Sequence, residues 1–172
     1  MGEIKMDDKK KLLILGAGQY GHVLREVAEA TEQYSQIDYL DDIPVEGVIG
    51  KLSEYKKFVN CYTDAIVAIG NPKVRMQWLE KLSEDYIIPV IIHPSAYVSP
   101  SARIDAGSIV EPLAVIHTEV NIGRGCIVSA GAIINHNSII AEGVHCDVGC
   151  IIPARSKIDA MRKIVQGELP LR

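Results

Sequence analysis

From Ile92 to Ile158 an aliphatic residue recurs at every sixth position, and this spacing leaves the chain few folds to choose from. The series is Ile92, Val98, Ile104, Val110, Ile116, Ile122, Val128, Ile134, Ile140, Cys146, Ile152 and Ile158. Four positions after each of the first eleven members comes a small or β-branched residue, from Ala96 and Ala102 through Ser108 and Cys126 to Cys150 and Ser156. Neither a helix of period 3.6 nor a flat strand of period 2 keeps two such series in step. A solenoid does. Each hexad supplies one short strand with its large and its small residue pointing inward, and three hexads close one turn of a triangular prism. Residues eighteen apart then stack, so Ile104, Ile122, Ile140 and Ile158 form one ladder with coils about 4.8 Å apart. The pattern fails at Arg162, a poor occupant of a small inward position. The spacing therefore predicts a prism over residues 92–159 and, from Met161, Ile164 and Val165, a helical turn within a cap over 160–172.

The preceding segment has a different grammar. Residues 1–10 are polar and charged and read as a disordered lead. Lys11 to Leu15 reads as a buried parallel strand that runs into Gly16-Ala-Gly18-Gln-Tyr-Gly21 and then a helical pattern through Val23, Leu24, Val27 and Ala28. Strand, G-x-G-x-x-G and helix in that order let the backbone approach a phosphate, with free amides at the helix start to attract its charge. A second strand, Ile37 to Leu40, ends in Asp41 and Asp42, twenty residues beyond Gly21, where carboxylates can accept hydrogen bonds from ribose hydroxyls. A further strand from Asp64 ends in Gly70-Asn71-Pro72, ahead of a helix over Val74 to Leu82. Residues 11–91 thus read as one Rossmann-like mononucleotide-binding half, which favours nucleotide binding over hydride transfer.

Charge and cysteine content narrow the partners. A net charge of −4, with no basic run beyond Lys9 to Lys11, argues against a nucleic-acid surface. No apolar run is long enough to span a bilayer, and a cytoplasmic location is expected. Cys126, Cys146 and Cys150 fall on inward positions and read as small core residues, not as disulfide partners or metal ligands.

Five histidines remain as candidates for chemistry. His22 opens the first helix and His93 sits at the domain junction, and both read as structural. His117, His136 and His145 take outward positions on the prism, where the core does not need them. Their separations of 19 and 9 are not multiples of eighteen, so they do not form the stacked ligand set of a zinc site. An imidazole can remove a proton from an amine or hydroxyl as it attacks a thioester.

Taken together, several segments resemble the sugar-modifying acyltransferases of the sialic acid O-acetyltransferase and bacillosamine N-acetyltransferase type. They are Leu13-Ile-Leu-Gly-Ala-Gly-Gln-Tyr-Gly21 with Glu26-Val-Ala, Leu40-Asp-Asp42, Gly47 and Gly50, Ala68-Ile-Gly-Asn71 with Arg75, Ile92-His-Pro-Ser-Ala96, and Asn135-His-Asn137 with His145. The resemblance implies a left-handed β-helix, a nucleotide-sugar in the N-terminal domain, and acetyl-CoA along the prism between two subunits of a homotrimer. It makes His136 the general base with Asn137 beside it, places His145 in the acetyl-CoA site, and gives Gly16, Gly18, Gly21, Asp41, Asp42, Gly70 and Asn71 to the nucleotide-sugar. Where the family has Asp or Glu after the histidine, this chain has Asn137, which leaves open a non-catalytic nucleotide-sugar-binding or assembly relative.

Overall fold

The computed structural model describes residues 9–168. Strand β1 (Lys10–Leu15) lies between β2 (Tyr34–Leu40) and β4 (Asp64–Val67), with β3 (Val48–Gly50) on the outer edge of β2, and all pairs are parallel. Helix α1 (Gln19–Ala30) follows β1, a 3-10 turn spans Leu52–Phe58, and helix α2 (Pro72–Leu82) follows β4. The expected lead over 1–10 lies outside the described residues up to position 8, while Lys10 already belongs to β1. Leu12, Leu13, Ile14 and Leu15 are all buried, because helices or side chains cover both faces of this small sheet.

The hexads build the three-walled prism that the spacing predicts. One wall stacks Ile91–Ile92, Ile109–Val110, Ile127–Val128, His145–Cys146 and Lys163–Ile164. A second stacks Tyr97–Val98, Val115–Ile116, Ile133–Ile134 and Ile151–Ile152, and a third Arg103–Ile104, Asn121–Ile122, Ile139–Ile140 and Lys157–Ile158. Every pairing in these walls is parallel and eighteen residues apart, and the solenoid is a left-handed β-helix. Its interior holds Ile116, Ile122, Val128, Ile134, Ile140, Ile152 and the thiols of Cys126, Cys146 and Cys150. Buried serines at the small positions are satisfied by the next coil: Ser108 Oγ donates to Gly123 O at 2.9 Å and accepts from Cys126 N at 3.1 Å.

The C-terminal expectation is corrected. Lys163–Ile164 forms a further strand on the first wall, and Ile164 is fully buried, so the coil continues where a helical turn was predicted. Arg162 does occupy the small position, but it lies over the open end of the last described coil. There its guanidinium is exposed and pairs with Glu168 at 2.6 Å. The remainder of the expected cap, residues 169–172, lies outside the described residues.

Two contacts fix the sheet domain on the prism. The outward isoleucines of the first wall, Ile91, Ile109 and Ile127, are buried in one cluster with Leu24, Ala28 and Ala17 from α1 and its loop. Arg75 on α2 is fully buried and has no carboxylate partner among the described residues. Its Nε donates to Gly125 O and its Nη2 to Gly143 O, both at 2.8 Å, while Nη1 donates to Ile69 O and Gly70 O at 2.9 Å. Gly107, Gly125 and Gly143, at the corner between the third and first walls, all have positive φ. A Cβ at Gly125 would come within 2.7 Å of Leu79 and 2.6 Å of Met76, so the glycines also admit α2. Replacing Arg75 by Met strands the Gly125 and Gly143 carbonyls, at about 1–3 kcal/mol each. Urea unfolding should therefore show a loss of roughly 2–6 kcal/mol, and Arg75→Lys, which cannot reach four acceptors, should recover little of it.

Candidate functional site

Two stretches of the surface carry the residues that the sequence singles out. The first lies at the carboxyl ends of β1 and β4. Gly16, with φ +109°, has its space closed by Ala68 O, 3.1 Å from where a Cβ would stand, and a Cβ on Gly21 would be 2.2 Å from Gly16 O. These two glycines are required by the packing of strand, turn and helix. Gly18 is not: its φ is −72°, and no atom lies within 4 Å of the Cβ position. Gly70, facing it across the β1–β4 crevice, also has open space where a side chain would be. No side chain caps the start of α1, so its first amides are free for an anion. Crevices of this kind, at the strand ends of a parallel sheet, are where ligands bind.

Asp41 and Asp42 stand beside this crevice and already hold backbone. Asp41 Oδ2 accepts from Ala17 N at 2.7 Å and Oδ1 from Ile43 N at 2.9 Å, which ties the end of β2 to the glycine turn. Asp42 Oδ1 accepts from Leu52 N at 3.3 Å. Both border an open depression of about 330 Å3 whose lining includes Pro44, Ile49 and Lys51. Asn71 caps α2 through Oδ1, which accepts from Val74 N at 3.2 Å. His22 rests edge-on against Tyr39, and His93 Nδ1 accepts from Ser95 N, in keeping with structural roles.

The second stretch is the prism. His136 and Asn137 form the turn between the second and third walls. Asn137 has φ +59°, a conformation that Asn tolerates better than most residues. Its Oδ1 lies 2.9 Å from His136 Nδ1, so the amide oxygen accepts a hydrogen bond from Nδ1–H and the lone pair of the ring is on Nε2. The same turn one coil earlier carries Thr118 and Glu119, and His117 lies edge-on to Tyr97 at 6.5 Å.

His145 is on the first wall, and that wall lies opposite the corner that carries His136. One chain does not bring the two histidines together. His145 extends the column Ile91, Ile109, Ile127 beyond the cover of α1, and its Nε2 is 3.0 Å from Ser129 Oγ. Burial and the Lys163 ammonium push its pKa down to about 4, against the weaker opposing pull of Asp147. Behind Ser129 is Glu111, which sequence reasoning missed. Its carboxylate is buried, accepts from Ala130 N at 3.0 Å and from Ser129 Oγ at 3.3 Å, and is held above the usual carboxylate range by burial. Tyr20, inside the glycine motif, turns a buried hydroxyl without a hydrogen-bond partner toward this carboxylate, and burial followed by the charge of Glu111 raises its pKa strongly.

Nε2 of His136 is thus a proton acceptor at one outer corner of the prism, and the neutral imidazole of His145 stands beside the Ser129 hydroxyl on the opposite wall.

Residues 11–82 match the family model of the PglD N-terminal domain. The acetyltransferase domain of PglB from Neisseria gonorrhoeae FA1090, solved with acetyl coenzyme A, is 31% identical, with a TM-score of 0.73 over 87% of this chain and 84% of that one. The chain belongs to the bacillosamine N-acetyltransferase type of sugar acyltransferases. A curated relative, the UDP-N-acetylbacillosamine N-acetyltransferase of Bacillus subtilis, is 33% identical over 112 residues, 59% of this chain and about half (51%) of that protein's length. Perosamine N-acetyltransferase from Caulobacter crescentus, at 22% identity and a TM-score of 0.63 over 93% of this chain and 90% of that one, shares the fold.

The low pKa of His145 makes a prediction about folding in acid. The unfolded chain protonates this ring near 6.5 and the folded chain near 4, so acid favours unfolding between those values. Stability that is fully present above pH 6.5 should be lost as pH falls toward 4, by roughly 3 kcal/mol from this group. Urea titrations at several pH values should show a shallower acid decline for His145→Gln than for the wild type.

Proposed function

We propose that this protein transfers an acetyl group from acetyl-CoA to an amino group of a nucleotide-linked sugar. The observation that carries the reading is His136 at an outer corner, with Nδ1 held by Asn137 and no partner for Nε2 among the described residues. Membership of the family supports a sugar amine as the partner of that nitrogen. The B. subtilis relative is named for a UDP-linked sugar, and the N. gonorrhoeae domain was solved with acetyl coenzyme A.

Acetyl-CoA supplies an acyl group on a thioester, whose C–S bond breaks as the new C–N bond forms. His136 Nε2 takes the proton that the amine gives up, and it can pass that proton to the departing sulfur. Asn137 fixes the ring's tautomer and direction without adding charge, so it orients the base but does not stabilise an imidazolium as a carboxylate would. Gly18 and Gly70, with the free amides of α1, hold the diphosphate, and Asp41 and Asp42 stand where the ribose would lie.

The working unit in this reading is a homotrimer. The outward column of the second wall, Tyr97, Val115, Ile133 and Ile151, is apolar, with Tyr97 56% and Ile151 54% exposed, and the adjoining corner adds exposed Leu113 and Val148. Such a stripe suits burial against a second copy. A neighbouring prism would also bring its His145 wall toward the His136 corner, completing a site that one chain leaves divided. Among the described residues no helix is long and apolar enough to cross a membrane, and Cys61, Cys126, Cys146 and Cys150 are unpaired. We place the enzyme in the cytoplasm, where thiols stay reduced.

Turnover of acetyl-CoA with a UDP-linked amino sugar should fall by about 10²–10⁴ in His136→Ala, and equal rates would reject the assigned base. Gly18→Ala should leave the melting temperature in place and weaken UDP binding in a calorimetric titration. Gly21→Ala, which meets Gly16 O, should instead lower the melting temperature.

A further inference from the structure

The polar chain behind His145 has no part in the chemistry above. Glu111, Ser129 and His145 belong to three successive coils of the prism and touch in that order: carboxylate to hydroxyl at 3.3 Å, hydroxyl to imidazole at 3.0 Å. The carboxylate is anchored on its far side by Ala130 N at 3.0 Å, so its position does not depend on the hydroxyl.

Proton counting fixes the direction of these bonds. A serine hydroxyl has one proton, and between a carboxylate and a neutral imidazole nitrogen the carboxylate is the stronger acceptor. Ser129 therefore donates to Glu111, and its oxygen can only accept from His145. That requires the proton of His145 to sit on Nε2. Asp147 does not compete, because its Oδ1 is 3.8 Å from Nε2 and its other oxygen is held by Lys163 Nζ at 2.9 Å. The ring is neutral near physiological pH, so only one of its nitrogens is protonated.

We infer that Glu111, acting through Ser129, is the positioning residue that holds His145 as its Nε2–H tautomer. The inference rests on the reading of His145 as part of the acetyl-CoA site, and it deepens that reading. A fixed Nε2–H is a donor aimed along the wall, which a thioester carbonyl can share with Ser129 and which strengthens as that oxygen gains negative charge. In the other tautomer the same nitrogen would offer a lone pair and repel the oxygen. Tyr20 adds a link to the sheet domain, since its buried hydroxyl faces the carboxylate from within the glycine motif.

Long-range 15N NMR of the full chain at pH 8 reads the tautomer directly. In the wild type, His145 should show a protonated Nε2 and a bare Nδ1. In Glu111→Gln the side-chain amide can donate to Ser129, whose hydroxyl then turns to Nε2, and the ring should switch to the Nδ1–H form. Retention of Nε2–H in Glu111→Gln would overturn the inference. So would a further change in the ring signals when Glu111→Gln is added to Ser129→Ala, because the link is already cut there. In the acetyl-transfer assay Glu111→Gln should raise KM for acetyl-CoA or lower kcat at least tenfold, with KM for the nucleotide-sugar unchanged. A switched tautomer with unchanged kinetics would remove His145 from the reaction and leave the hydrogen-bond chain intact, so failure of the inference and failure of the acetyl-CoA reading give different results.

Discussion

One of the two contacts that join the halves of this protein rests on how a buried guanidinium is satisfied. Arg75 sits where desolvation would be prohibitive for an unpartnered cation, and among the described residues no carboxylate comes to meet it. Four backbone carbonyls do so instead, two from the Ile69–Gly70 turn and two from prism corners a coil apart. The planar fork of Arg suits acceptors in such fixed directions, and burial lowers its pKa without a compensating negative charge nearby. The arrangement makes the turn after β4 and the pitch of the prism mutually dependent. A shift of either would leave a charge half-solvated by protein.

That dependence places the two candidate sites in one frame. The Gly70 turn forms one lip of the crevice assigned to the nucleotide, and Gly125 and Gly143 lie on the coils that lead toward His136 and His145. The Ile91, Ile109, Ile127 column beneath α1 adds apolar area to the same junction. Tyr20 turns its buried hydroxyl toward the Glu111 carboxylate at its rim. The junction therefore acts as a rigid gauge between where a sugar nucleotide would be held and where an acyl group would be delivered.

The prism was legible in the sequence because its inward positions obey one rule throughout, and each exception is informative. Cys146 breaks the aliphatic series yet is fully buried, while Arg162 marks an open end and not a change of structure. The rule assumes a neighbour on both sides, and the last described coil lacks one above. The glycine motif was readable in the same way, although only the structure separates Gly16 and Gly21, which packing requires, from Gly18, which it does not. Outward positions were harder. Three isoleucines eighteen apart on an outer wall carried a signal that something covers them, but not what. Arg75 figured only in the family resemblance and Glu111 in nothing, since their partners come from segments 50 or 68 and 18 or 19 residues away.

The glycine corner under α2 has an evolutionary consequence. Gly107, Gly125 and Gly143 stand in one column, and the next member is Met161, whose sulfur packs against the space beside Gly143. The footprint of the helix thus ends after three storeys. Above it, whole turns of eighteen residues can be gained or lost by duplication without disturbing how the sheet domain is seated. Below it, any such change would misalign the mount, so growth of this scaffold is confined to its distal end.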